Sequence, residues 1–180
     1  MSRNTRRHKQ FIMLAILLFV IGIVYAVVQE KIPMGSGALL AVGSVAPDFS
    51  AVSSDGESVN LKLMSASNNV VLVFYPADET PGCTAQLCAI RDNWSALQQA
   101  GVKVFGVNPA GKEKHAQFKL KQRLPFPLLV DTGGKIAAEY GCKMWFGLIR
   151  RTVYVVGKDG KIRFARRGAP SPAEMLQSLK

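Results

Sequence analysis

Cysteine is scarce in this chain: there are three in 180 residues, Cys83, Cys88 and Cys142. So few exclude a disulfide-stapled miniprotein, and their odd number leaves at least one thiol unpaired. Acid is scarce too, 12 Asp and Glu against 23 Lys and Arg, for a net charge of +11. A basic surface would suit nucleic acid, but the sequence has no reading module, no run of base-stacking aromatics and no recognition-helix pattern, so no nucleic-acid partner is expected. An anionic lipid surface is the simpler expectation. Histidine is confined to His8, in the N-terminal tail, and His115, which falls in a charged helical stretch and reads as a surface residue. There is no internal repeat and no low-complexity tract.

What is present first is a long apolar run. Residues 11–28, FIMLAILLFVIGIVYAVV, carry no charge. As a helix they would span about 27 Å, near the hydrocarbon thickness of a bilayer. A cleaved signal peptide would have a shorter apolar stretch and a small-residue site after it. The expectation is therefore a basic cytoplasmic tail over 1–10, a single transmembrane helix over 11–28 contacting the lipid bilayer, and a Gly- and Ser-containing tether over 29–45. Arg3, Arg6, Arg7 and Lys9 precede the run whereas Glu30 and Lys31 after it cancel. The positive-inside rule then puts the catalytic domain outside a bacterial cell membrane, in the periplasm or its equivalent.

Residues 46–180 are long enough to bury a core of their own. Short β-rich pieces at Phe49–Val52 and Val59–Leu61 flank the turn signal Asp55-Gly56. Val70–Tyr75, VVLVFY, reads as a strand buried on both faces. Cys83 to about Gln99 reads as one helix with Leu87, Ile90, Trp94 and Leu97 on one side, stopped by Gly101. A strand at Val102–Val107, a charged helix at Ala110–Arg123, a strand at Phe126–Val130 and a short helix at Gly134–Tyr140 follow. A hairpin of Thr152–Val156 and Ile162–Ala165 turns at Lys158-Asp159-Gly160, and a helix from Pro172 closes the domain. This order predicts a three-layer α/β sandwich with a mixed central sheet. Trp94, Trp145 and the methionines read as core or membrane-facing packing.

Cys83 falls where a buried strand passes through a short loop into a helix. Unpaired N–H groups and the positive dipole end at a helix start favour the thiolate, the nucleophilic form of cysteine, so the sulfur is expected to be ionised at neutral pH. Around it stands FYPADETPGCTAQLC, containing Pro76, Thr80, Pro81, Gly82 and Cys83. This stretch resembles the active-site loop of peroxiredoxins, with its Pro-x-x-x-Thr-x-x-Cys signature. It is most similar to the bacterioferritin-comigratory, or Q-type, subgroup of the alkyl hydroperoxide reductase/thiol-specific antioxidant family. The likeness runs from Ala46–Phe49 through Phe126–Gly141 to Arg151–Arg163, nearly the whole domain.

The resemblance implies a thioredoxin-like fold and a thiol peroxidase with no cofactor and no metal. It implies that Cys83 attacks a hydroperoxide and that Cys88, five residues on, closes a disulfide with it. It assigns Thr80 as a hydroxyl donor to the peroxide, Pro76 as a stiffening and shielding residue, and Arg151 as the positive group, with Arg150 an adjacent rival. A thioredoxin-like electron donor and a monomeric state belong to the same expectation. On a regular helix the Cα atoms of Cys83 and Cys88 would lie about 8.6 Å apart. A disulfide tolerates no more than about 7 Å, so the first turns of the helix must unwind for it to form. Cys142 reads as a small buried hydrophobe, yet resolution by Cys142 or by an external thiol stays open, and the stretch 142–150 looks shorter than in many family members.

Two other readings compete. A membrane-tethered thioredoxin-like thiol-disulfide oxidoreductase would want Cys-x-x-Cys and a proline before the penultimate strand, and no proline lies between Pro127 and Pro170. A Sco-like copper-binding protein would want a closer cysteine pair and a histidine on a loop.

Overall fold

The computed structural model describes residue 13 and residues 37–179. In chain order the elements are β1 (Ser50–Val52), β2 (Ser58–Asn60), α1 (Leu61–Ser65), β3 (Asn69–Phe74), α2 (Pro81–Asp92), α3 (Trp94–Gln99), β4 (Val102–Asn108), α4 (Lys112–Gln122), β5 (Leu128–Val130), α5 (Lys135–Glu139), β6 (Thr152–Val156), β7 (Ile162–Arg167) and α6 (Pro172–Gln177). β1 and β2 form a separate antiparallel hairpin. The other strands make one sheet in the order β5-β4-β3-β6-β7. β3, β4 and β5 run parallel, whereas β6 and β7 are antiparallel to their neighbours.

The apolar run predicted as a buried strand is the middle strand, β3, because only a position covered on both faces hides side chains of both alternations. Val70, Leu72 and Phe74 enter one core with Phe49, Leu61, Ile136, Tyr140 and Tyr154. Val71, Val73 and Tyr75 enter the other with Leu87, Leu97, Phe118, Phe126 and Met175. Helices and the hairpin thus cover both faces of the mixed sheet. Each fully buried aliphatic side chain of β3 contributes about 1.5–3 kcal/mol by leaving water.

Several boundaries differ from expectation for local reasons. The helix expected to run unbroken from Cys83 to Gln99 divides at Asn93, where the backbone turns to φ −107° and ψ 18° and the side-chain amide donates to the Ala89 carbonyl at 2.9 Å. Asn competes for backbone partners in this way and interrupts helices. Leu61 opens α1 rather than ending a strand, since Asn60 Oδ1 caps the Leu63 N–H at 2.9 Å. Pro125 and Pro127 keep the approach to β5 out of the ladder, so that strand begins at Leu128. Trp145 is not core: it is 75% exposed, beside Phe146 at 99%. Trp94 does pack, its ring 5.7 Å from that of Phe126.

The run 11–28, apart from residue 13, lies outside the described residues, as do residues 1–10 and residues 29–36 of the tether. Among the described residues no helix is long and apolar enough to cross a membrane.

Candidate active site

The end of β3 delivers the chain through Tyr75 into an exposed loop, and Pro81, the first residue of α2, starts a helix with its fixed φ and no N–H to leave unpaired. Cys83 is the third residue of that helix. Its side chain turns back toward the sheet and has no exposed surface, packed in the core shared with Val71, Val73 and Leu87. Thr80 precedes the helix in extended conformation without capping it, and its hydroxyl donates to the Ala77 carbonyl at 3.3 Å. Pro76 and Thr80 are both exposed on the loop.

Arg151 reaches Cys83 because of sheet register. Thr152 pairs with Phe74, so the residue before β6 lies beside the point where the chain leaves β3. The guanidinium donates from Nη2 to Cys83 Sγ at 3.3 Å and from Nη1 to the Gly82 carbonyl at 3.1 Å and Gln86 Oε1 at 2.6 Å. Arg150 points elsewhere, its guanidinium lying against Gly37. Gln86 was not singled out from the sequence. Its signal was spacing alone, three residues after Cys83 and hence on the same helix face.

Cys88 shares α2 with Cys83 but not its surroundings: it is half-buried and points at α4, its sulfur 3.7 Å from Gln122 Oε1. Cys142 is buried in the core on the other face of the sheet from Cys83. Burial pushes its thiol up, partly offset by Thr152 and Arg167. With the sheet between them, Cys142 is remote from Cys83 as a resolving partner.

A second cluster, unexpected from sequence, grips the loop. Among residues 76–80 only Asp78 turns inward. Its Oδ1 accepts from Tyr75 Oη and Asn108 Nδ2, both at 2.8 Å, and its Oδ2 lies 2.9 Å from His115 Nδ1. His115 is therefore no surface residue; it has no exposed side chain at all. A carboxylate only accepts, so Nδ1 carries the proton of this contact, and Nε2 is buried without a partner. Burial raises the Asp78 carboxyl, but the hydrogen bonds and charge from His115, with those of Tyr75 and Asn108, outweigh it and hold the group below its ordinary value. Burial, reinforced by Asp78, pushes the Tyr75 phenol well above its usual range.

The structure thus sets a cysteine at a helix start against an arginine from the neighbouring strand, on a mixed sheet with helices on both faces. The family model described as the AhpC/TSA family matches residues 42–165. The chain belongs to that family. It is 43% identical over 141 residues to a chloroplastic peroxiredoxin Q of Triticum aestivum, covering 77% of this chain and 64% of that protein. It is 38% identical over 130 residues to a putative peroxiredoxin bcp of Coxiella burnetii, covering 68% of this chain and 85% of the relative. The crystal structure of peroxidoxin BcpB from Mycobacterium tuberculosis superposes with a TM-score of 0.73 at 29% identity, covering 78% of this chain and 96% of that one. The thioredoxin-like α/β fold expected from the resemblance is thus present. The chain spans about 64% of the length of the rice and wheat relatives it matches.

The same comparisons correct the expected location. Relatives from rice and wheat are chloroplastic proteins, and among the described residues no helix is long and apolar enough to cross a membrane. A single-pass cell-membrane protein with a periplasmic catalytic domain is therefore not supported.

Proposed function

We propose that this protein is a Q-type peroxiredoxin, a thiol peroxidase that reduces hydroperoxides through Cys83 and Cys88. The single observation that carries the reading is the Arg151 guanidinium, 3.3 Å from the sulfur of Cys83 at the opening of α2. The Cys83 thiolate attacks one peroxide oxygen and the O–O bond breaks. Two electrons pass from sulfur to oxygen, leaving Cys83 as a sulfenic acid and the other oxygen as an alkoxide or hydroxide that takes up a proton. A guanidinium is a fixed positive group with several N–H donors, so Arg151 serves both the attacking sulfur and the charge developing on the leaving oxygen. Thr80, exposed on the loop, turns its hydroxyl proton from the Ala77 carbonyl to the bound peroxide, and Pro76 stiffens the loop.

In the second step the Cys88 sulfur attacks the Cys83 sulfenic sulfur, an S–S bond forms, and the hydroxyl leaves as water. The two sulfurs stand on different sides of α2, so its first turns open for this step. A thioredoxin-type dithiol then returns both cysteines to thiols. Both reacting sulfurs belong to one chain, so the cycle runs in a monomer. Supporting the reading further is the position of Cys142 across the sheet from Cys83.

Stopped-flow consumption of hydrogen peroxide tests this. Wild type and Cys88→Ser should each consume the first equivalent rapidly, the variant accumulating a sulfenic acid that a 1,3-dione captures at Cys83. Cys83→Ser should consume none above background, and rapid consumption by that variant would refute the reading.

A further inference from the structure

The peroxidatic loop has four exposed residues and one buried anchor. Pro76, Ala77, Glu79 and Thr80 face solvent, while the Asp78 carboxylate is drawn under the loop by three donors from three different elements. Tyr75 follows β3, Asn108 ends β4, and His115 lies on α4. These donors are themselves fixed. The Tyr75 ring is fully buried, and Asn108 Oδ1 accepts the Ala110 N–H at 2.7 Å. A charge-assisted set of this kind, shielded from water, holds geometry far better than an exposed pair. By contrast the second tie from α4 to the loop, Lys121 to Glu79 at 2.8 Å, is open to solvent on both sides and holds little.

The anchored loop is under tension. Glu79, next to the anchor, is a non-glycine residue in the left-handed region at φ 63°. Such a conformation persists only where the surroundings enforce it, and relaxing it favours letting the loop go. Four residues beyond Glu79 is Cys83, whose step with Cys88 needs the start of α2 to come apart. The same α4 that carries His115 also meets Cys88 through Gln122 and accepts Arg91 Nη1 at the Gln122 carbonyl, at 2.6 Å. One helix therefore holds both the loop that must release and the region toward which the released chain must move.

We propose that Asp78 and His115 are positioning residues forming a latch that sets how readily the start of α2 opens, and so apportions Cys83 between peroxide attack and disulfide closure. This rests on the peroxidase reading for its consequence, but not for its physical content. Neither residue touches the reacting atoms. With the latch closed, Cys83 stays at the helix start under Arg151. With it open, Glu79 relaxes and the first turn of α2 can unwind toward Cys88. A weaker latch thus shortens the life of the sulfenic acid, and with it the exposure of Cys83 to a second peroxide molecule that would take it to sulfinic acid.

The test compares wild type, Asp78→Asn, His115→Gln, the double variant, and Val156→Ala, a core truncation at the far end of β6 that lowers global stability without touching the loop. Hydrogen exchange on the reduced proteins, with no peroxide, reads the latch alone. Amides of residues 83–88 should exchange about tenfold faster in Asp78→Asn and His115→Gln, and no faster again in the double variant, while Val156→Ala moves them no more than it moves β4. Single-turnover mixing with peroxide then reads the consequence. Disulfide closure should be several-fold faster in the latch variants, peroxide attack no faster, and the peroxide dose giving half-maximal sulfinic acid correspondingly higher. Unchanged exchange at 83–88, or closure unchanged or slowed in Asp78→Asn, would overturn the latch. Faster exchange in a protein whose wild type forms no Cys83–Cys88 disulfide would instead uphold the latch and remove the peroxidase reading.

Discussion

At the scale of single residues, the site turns on how closely one guanidinium can approach one sulfur. Gly82 is what permits the approach: a Cβ built there would lie 3.2 Å from Arg151 Nη2. Gly82→Ala should therefore keep the fold but displace the guanidinium by a few tenths of an ångström, lowering the second-order rate with peroxide by about tenfold. Arg151→Ala should cost on the order of a hundredfold. Stopped-flow rates check both, and an Arg151→Ala protein as fast as wild type would remove Arg151 from the chemistry. Cys83 and Arg151, which the structure brings together, were legible in the sequence because Cys83 lies in one motif stretch with Pro76, Thr80 and Cys88, and Arg151 stands before a recognisable strand. Asp78 and His115 were not. His115 sits among Lys112, Lys114 and Lys119, and composition alone makes such a helix look solvated. The clue lay in spacing, since His115 and Phe118 are three apart and both are the buried residues of α4.

At the scale of elements, the proposed cycle gives α2 two jobs that conflict. It must be formed to hold Cys83 under Arg151, and unformed at its start to let Cys88 close. Its sequence makes the compromise visible: Pro81 pins the start, no side chain caps it, and the first turn holds no acid. Oxidation to the disulfide should therefore expose amides of residues 83–88 to exchange while β3 amides stay protected. Mass-resolved hydrogen exchange on reduced and oxidised protein reads this directly, and an equally protected α2 in the oxidised form would contradict it. The strands were read well because a run such as Val70–Tyr75 is explicable only as a doubly covered strand. Element ends were read less well because they depend on single side chains. Asn93 bonding to Ala89 divides a helix whose apolar spacing runs straight through, and Asn60 begins a helix where alternation suggested more strand.

At the scale of the whole molecule, acid should loosen the fold through its carboxylates. Asp78 is held below its ordinary value of 3.8 despite burial, by His115, Tyr75 and Asn108. Asp55 is held down by Lys119, and Asp48 by N–H groups of Lys62 and Phe49 and the Asn60 amide against its desolvation. A group whose folded-state value is depressed contributes stability that is present above its unfolded value and lost as pH falls through the folded one. Urea midpoints should accordingly be flat from neutrality to about pH 5 and drop below about pH 4, with a shallower drop in Asp78→Asn. An unchanged acid limb in that variant would show that the Asp78 cluster carries no folding energy. The overall architecture was legible because the order of strands and helices admits few arrangements. The location inferred from the run 11–28 did not survive comparison with relatives, since an apolar segment fixes where a chain could go and not where it resides.

The most direct measurement is peptide mapping under non-reducing conditions after one equivalent of peroxide. The account predicts a single bridged species joining residues 83 and 88, with Cys142 a free thiol and with one thioredoxin-type dithiol per chain sufficient to reverse it. Oxidation that joins Cys83 to Cys142, or that leaves Cys83 a free thiol, would contradict it.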